Sequence, residues 1–359
     1  YGGAYVKDLA QVIVDADGDK WLFVDPDERR QAFRERGYAA MMESVRDTLE
    51  LFGTQFDTYF SEHSLFIPGE DGKTKVQHAF DAMKERGYIY EKDGATYFKS
   101  SEFGDEKDRV LIKQNGELTY FMSDVAYHYD KKQRGYDLLI DIWGADHHGY
   151  IPRCQAMMAA WGYPNDLEVV LGQLVNLYRD GAAVRMSKRT GKTISLSDLL
   201  DEIPVDACRY FFNAKPDTQM DFDLGLAVRE DSENPVYYIQ YAYARICSLL
   251  KTMADEGRSV PAADKADLSL LSGEQERALI KELANFSEEI RMAARDYDPS
   301  YINRYLMRLA GAFHRFYNAC RIKGEADDVA NARLLLAAAT RQVLANGLTI
   351  LGLSKPEKM

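Results

Sequence analysis

The sequence predicts an α/β fold: a domain on a parallel sheet with a ligand site at its strand ends, interrupted by a small β insert and followed by an all-α helical bundle. Three observations carry this expectation. Mostly apolar runs at Tyr136 to Trp143 and Glu168 to Tyr178 enclose a helical stretch from about Tyr150 to Trp161. Alternating strand and helix indicates a parallel sheet with its ligand site at the strand C-termini. Residues 87–121 break into short β-like runs, and after Pro235 the pattern becomes almost entirely helical.

Each element has a local reason. Arg34, Glu35, Tyr38, Met41, Met42 and Val45 recur at spacings of three and four, which predicts a helix from about Pro26 to Leu51. In the insert, Tyr88-Ile89-Tyr90, Thr96-Tyr97-Phe98, Arg109 to Lys113 and Leu118 to Phe121 read as strands, with turn pairs at Asp93-Gly94 and Asn115-Gly116. Asn234 is placed to cap a helix that has Pro235 at its first position, which sets the domain boundary: residues 1–229, then residues 230–359. Glu256 to Ser269 reads as an inter-helix loop. Between Tyr301 and Tyr317 the residues Ile302, Leu306, Leu309, Phe313 and Phe316 form one apolar stripe, with Arg304, Arg308 and Arg315 on another face.

The chain has 359 residues, 46% hydrophobic and 12% aromatic, enough for two sizeable cores. Apolar runs such as Leu334 to Ala339 fall short of the roughly 20 residues a bilayer span needs, and no basic-then-apolar leader opens the chain, so the expectation is a soluble, cytoplasmic protein without a membrane partner. Cys154, Cys208, Cys247 and Cys320 are scattered, which argues against a disulfide framework or a zinc knuckle. The net charge is −12, yet residues 230–359 carry 18 acidic and 17 basic side chains, so the acidity sits on residues 1–229 and the second part can meet a polyanion if its arginines gather on one face.

Three segments hold the candidate chemistry. Val184 to Lys192 places Arg185, Lys188, Arg189 and Lys192 around Met186, Ser187, Thr190 and Gly191, a loop able to set cations beside phosphate oxygens; a solvated basic surface loop is the alternative. Gly144-Ala145-Asp146-His147-His148-Gly149-Tyr150 follows an apolar strand, where an α/β sheet puts its ligand site. Alone, Asp-His-His also fits a manganese phosphoesterase, and His148 also fits a core contact. Tyr120 and Asp124, four apart, share a face if a helix starts there, and a carboxylate beside a phenol suits a guanidinium; otherwise Asp124 caps a helix of residues 125–132.

Together with Phe103 to Arg109, Val205 to Tyr210 and Tyr238 to Ala242, these segments resemble arginyl-tRNA synthetase over essentially the whole chain. Met186-Ser187-Lys188 matches the lysine-methionine-serine-lysine-serine signature of class I aminoacyl-tRNA synthetases, and Asp206-Ala207-Cys208-Arg209 is one letter from the Asp-Ala-Leu-Arg string of the anticodon-binding domain. The resemblance implies a partial Rossmann-like class I synthetase catalytic domain and a helical anticodon-binding domain. It implies an arginine–tRNA ligase, using ATP with magnesium to make arginyl-adenylate and charge tRNA(Arg), and a monomer. It places Tyr120, Asp124 and Asp146 around arginine, His147, Met186, Ser187, Lys188 and Arg189 at ATP with Lys188 catalytic, and Tyr317 and Met359 at the anticodon loop, with no protein metal site. No His-x-Gly-His-type segment occurs in the chain. The expectation is therefore a form shortened at its N-terminus and inactive alone; the rival is a non-catalytic tRNA-binding module or paralogue.

Overall fold

In the computed structural model the described residues are 4–179, 181–184, 194–215 and 220–359. Two compact units form: Phe56–Leu174, and the rest of the described chain up to Gln55 and from Val175 onward. The second unit opens with α1 (Ala4–Asp17) and α2 (Pro26–Leu51). The Asp25 carboxylate accepts from the Asp27 and Glu28 amides and Pro26 opens the helix, so α2 spans the predicted residues. Trp21 packs edge-on against Phe33 between the two helices.

The Phe56–Leu174 unit contains α3 (Lys75–Glu85), β1 (Ile89–Lys92), β2 (Ala95–Phe98), β3 (Arg109–Ile112), α4 (Tyr120–Gln133), β4 (Leu139–Gly144), α5 (Ile151–Ala160) and β5 (Leu167–Gly172). The first three strands pair antiparallel in sequence order, and Asp93 and Gly94, at φ 51° and 76°, make the two-residue turn between β1 and β2. The fourth predicted strand, Leu118 to Phe121, does not form. Leu118 makes only an isolated bridge to Ile112, and the Thr119 hydroxyl then accepts from the Met122 amide and starts α4 at Tyr120. A capping threonine here outweighs the β-propensity of the run.

β4 and β5 pair parallel from Leu139↔Leu167 to Gly144↔Gly172, and α5 supplies the crossover between them. The core beneath them gathers Leu65, Met83, Phe98, Leu111, Met122 and Met157. The apolar run Glu168 to Tyr178 is two strands, not one: β5 ends at Gly172 and the chain enters a different sheet after Leu174.

In that sheet β6 (Val175–Arg179) lies between β7 (Ala182–Ala183), antiparallel, and β8 (Met220–Asp223), parallel; α6 (Leu196–Leu200), α7 (Val205–Ala214) and α8 (Leu224–Ala227) accompany it. The bundle follows as α9 (Pro235–Asp255), α10 (Glu274–Asp296), α11 (Ser300–Ala319) and α12 (Asp327–Leu351). Asn234 caps α9 through the Val236 amide, as predicted. The stripe Ile302, Leu306, Leu309, Phe313 and Phe316 is buried on α11. By length and composition alone α12 could cross a bilayer, but Ala330, Leu334, Ala337, Leu344 and Leu348 lie inside the bundle core.

Two side chains of α7 fasten the end of the chain. Asp206 accepts from Gln240 Nε2 at 2.7 Å and from the Ser354 amide at 3.0 Å. Arg209 donates to the carbonyls of Leu351, Phe52 and Gly53 at 3.0 to 3.2 Å, taking up the open C-terminal ends of α12 and α2 with one cation.

Candidate active site

The first turn of α4 decides the site. Because Thr119 is the cap, Asp124 lies one turn inside the helix and caps nothing; it shares a stripe with Tyr120, Tyr127, His128 and Lys131. The opposite stripe, Phe121, Met122, Val125 and Ala126, is buried in the core. The polar stripe faces β4 across a cavity of about 690 Å³. Asp141, Trp143, Gly144, His147, Tyr150 and Cys154 complete its walls.

The cavity contains two carboxylates in opposite circumstances. Asp141 accepts from His128 Nε2 and from Lys131 Nζ, both at 2.7 Å. Burial pushes its carboxyl up, but the His128 hydrogen bond and charge and then Lys131 outweigh it and hold the group at about 2. His128 Nδ1 donates to the Asp124 backbone carbonyl at 2.8 Å, so both ring nitrogens face acceptors. The Asp124 carboxylate, one turn away, makes no ion pair or hydrogen bond among the described residues, and burial raises its pKa above the usual carboxylate value. Tyr120 is 90% exposed, its phenol beside the mouth of the cavity.

Past the end of β4, residues Ala145–Tyr150 form a 3-10 turn. His147 lines the cavity, 3.7 Å from Asp146 and edge-on to the Tyr150 ring. Asp146 is outside the lining, 81% exposed, with its carboxylate folded back over Gly144. His148 makes no core contact; it is exposed and its Nδ1 donates to the Ala145 carbonyl at 3.0 Å. Asp146 and His147 thus stay within reach of each other, while His148 turns away to the backbone. Among the described residues no group of three His, Cys, Asp or Glu side chains is placed to hold a metal ion.

Of the predicted positions, Tyr120, Asp124 and His147 meet at one cavity, with Asp146 at its margin. Met186, Ser187, Lys188 and Arg189 lie outside the described residues. Tyr317 and Met359 belong to the other unit. Tyr317 is half-buried beside Phe313, with the Arg245 guanidinium 3.9 Å from its ring centroid, and Met359 is 49% exposed. Arg308 is held by Glu282 and Glu289, and Arg304 donates to the Ser300 hydroxyl at 2.7 Å. Sequence reasoning passed over His128, Lys131 and Asp141. The first two were available as the continuation of the Tyr120 and Asp124 stripe at helical spacing, whereas Asp141 is a lone acid inside an apolar run with no local signal.

Comparison with known proteins adds the context. Residues 39–224 match the catalytic-domain model of tRNA synthetases class I (R), and residues 239–359 match the DALR anticodon binding domain. Arginine–tRNA ligases of Desulforudis audaxviator and Acetivibrio thermocellus are 48% and 46% identical over 362 aligned residues, covering 100% of this chain and 63% of each relative. The chain therefore spans less than two thirds of the length of these curated relatives. A solved Campylobacter jejuni protein assigned as an arginyl-tRNA synthetase superimposes with a TM-score of 0.88 at 36% identity, covering 100% of this chain and 76% of that one. The Thermus thermophilus arginyl-tRNA synthetase shares the fold, with a TM-score of 0.76 at 20% identity over 97% of this chain and 69% of its own.

Proposed function

This chain belongs to the arginyl-tRNA synthetase family of class I enzymes, and from that premise we propose that it serves the ATP-dependent joining of arginine to tRNA(Arg). The observation that carries the arginine assignment is the contrast between the two cavity carboxylates. Asp141 is already matched by His128 and Lys131, while the half-buried Asp124 carboxylate has no ion pair or hydrogen bond among the described residues. A guanidinium is a planar fork of donors that pairs with one carboxylate through two parallel hydrogen bonds, and it keeps its charge where an ammonium loses it. Tyr120 adds a phenol at the mouth, and Asp146 stands at the margin for the substrate's polar end.

In the proposed reaction the arginine carboxylate attacks the α-phosphate of ATP and pyrophosphate departs. A terminal ribose hydroxyl of tRNA then attacks the arginyl carbonyl and AMP leaves. His147 and the Met186, Ser187, Lys188 and Arg189 stretch face ATP, with Lys188 stabilising the charge that grows on the phosphates. Magnesium accompanies the ATP phosphates; the described residues offer no cluster for it, and no step here depends on its position. Residues 1–229 are assigned to catalysis and residues 230–359 to the anticodon loop, where Tyr317 stacks on an unpaired base and Met359 lies alongside. The proposed setting is a cytoplasmic monomer.

The test is ligand choice. Titration calorimetry should detect arginine binding, with lysine and the uncharged isostere citrulline each bound at least about a hundredfold more weakly, because a buried carboxylate left without its fork loses about 3–5 kcal/mol. Equal binding of citrulline would remove Asp124 from substrate recognition.

A further inference from the structure

The cavity between α4 and β4 contains a cation that the proposed reaction does not use. Lys131 follows Asp124 by two turns along the same stripe of α4. Its ammonium reaches across to β4 and meets Asp141 Oδ1 at 2.7 Å, while His128 Nε2 meets Oδ2 at the same distance, so each oxygen of that carboxylate has its own donor. Nζ also lies 4.5 Å from the Tyr127 ring centroid, and only 15% of the Lys131 side chain is exposed. A lysine serving solubility alone would extend its head into water; this one is folded down onto the lining. Asp141 and Lys131 both act on Asp124. Burial raises the Asp124 pKa most, His128 opposes it, and Glu62, Asp141 and Lys131 follow in that order, Lys131 again lowering it. The two carboxylates and the ammonium therefore share one electrostatic space.

From this placement we propose that Lys131 is a specificity residue: a resident cation that fills the place at Asp141, leaves Asp124 as the one open carboxylate in the lining, and so disfavours lysine and other amino acids with an ammonium side chain. The inference rests on the arginine reading of Asp124 and deepens it. An ammonium is a compact point charge, and its gain depends on how much negative charge surrounds it. Two open carboxylates on facing walls would hold it firmly. A guanidinium gains instead from the planar fit of its fork to a single carboxylate, which Asp124 alone supplies. Covering Asp141 with an ammonium of the chain's own removes the arrangement that would favour lysine and leaves intact the one that favours arginine. The tether matters as well, because a free amino acid must give up its translational freedom to compete for a place that Lys131 already holds.

The experiment measures arginine and lysine binding to the whole chain by titration calorimetry. Lys131→Gln keeps a donor for Asp141 and removes the charge. It should tighten lysine binding by between about 10- and 100-fold, the range of one charge-assisted hydrogen bond, and lower the preference for arginine over lysine by the same order. Adding Asp141→Asn should restore the preference, because the vacated carboxylate is then gone, and Lys131→Arg, which keeps a cation at Asp141, should retain it. Damage to the fold does not produce a gain in lysine binding. Circular dichroism melting checks the fold, and Lys131→Met, which keeps an apolar stem beside the Tyr127 ring, repeats the test if the amide variant melts early. Lysine binding by Lys131→Gln no tighter than by the unmodified chain, while both bind arginine, overturns this inference alone. Equal tightening of arginine and lysine also overturns it, leaving Lys131 a general neutraliser of the cavity. Absence of arginine binding by the unmodified chain overturns the arginine reading of Asp124 together with it.

Discussion

Arg209 occupies the space that a side chain on Gly352 would need: a Cβ there would lie 2.6 Å from the guanidinium carbon. Gly352 also sits at φ 66° as the residue that ends α12, so two independent constraints fall on it. Gly352→Ala should lower stability by about 2–4 kcal/mol: about 1 kcal/mol from left-handed backbone strain and the rest from displaced charge-assisted hydrogen bonds to Leu351, Phe52 and Gly53. Gly257 provides the control, with φ 83° and no neighbouring atom within 4 Å. Gly257→Ala should cost only the strain, about 1 kcal/mol. Urea midpoints followed by far-UV circular dichroism separate the two, and equal losses would mean that Arg209 swings aside freely.

Asp141 makes the acid limb of stability steep. Its folded pKa, about 2, lies below the ordinary 3.8, so its contribution is present above 3.8 and is lost as pH falls through about 2. At 1.36 kcal/mol per unit, a shift of that size corresponds to about 2 kcal/mol for this buried carboxylate. Asp141→Asn should therefore destabilise the chain at neutral pH by about 2 kcal/mol and flatten its stability profile between about pH 4 and pH 2. Urea titrations across that range decide it; an unchanged acid limb would show that His128 and Lys131 find other partners.

Asp124 has the opposite sign. Its folded pKa is raised by burial, so keeping it charged costs stability above the ordinary carboxylate range, and protonation at low pH removes that cost. Asp124→Asn should make the empty protein more stable at pH 7 and no more stable at pH 3. The same change should weaken arginine binding by at least about a hundredfold, because the guanidinium then faces a neutral amide. A variant that is stabilised and still binds arginine would separate the burial effect from recognition. A carboxylate kept partly out of water without a partner among the described residues is a common cost of function.

Most of the architecture was legible because its signals are local. Asn234 and Pro235 announced α9, the α11 stripe announced its own buried face, and Asp93-Gly94 announced a hairpin turn. The errors have local causes too. Leu118 to Phe121 has strand-like composition, but Thr119 caps a helix in the middle of it, and the run from Glu168 to Tyr178 hides a change of sheet behind continuous hydrophobicity. At the site, Tyr120 and Asp124 could be paired from their spacing alone. The neighbouring His128–Asp141 contact could not, because it joins α4 to a strand and is created by packing. The loop around Lys188 was the clearest chemical signal in the sequence, yet its residues lie outside those the structure describes.

Tyr317 and Arg308 lie on the same helix yet should behave differently toward tRNA. Arg308 is held by Glu282 and Glu289, so binding a phosphate would leave two carboxylates unpaired. Arg308→Ala should therefore change tRNA affinity by less than about threefold, within the range of a partly neutralised surface charge. Tyr317 has one face against the Arg245 guanidinium, which fixes the ring without burying it fully. Tyr317→Ala should weaken tRNA binding by between about 5- and 100-fold, the range for losing one base stack. Tyr317→Phe should retain most of the affinity, because the stack needs the ring and not the hydroxyl. Fluorescence anisotropy with labelled tRNA(Arg) measures all three. Wild-type affinity in Tyr317→Ala would instead remove the ring from the anticodon-loop contact.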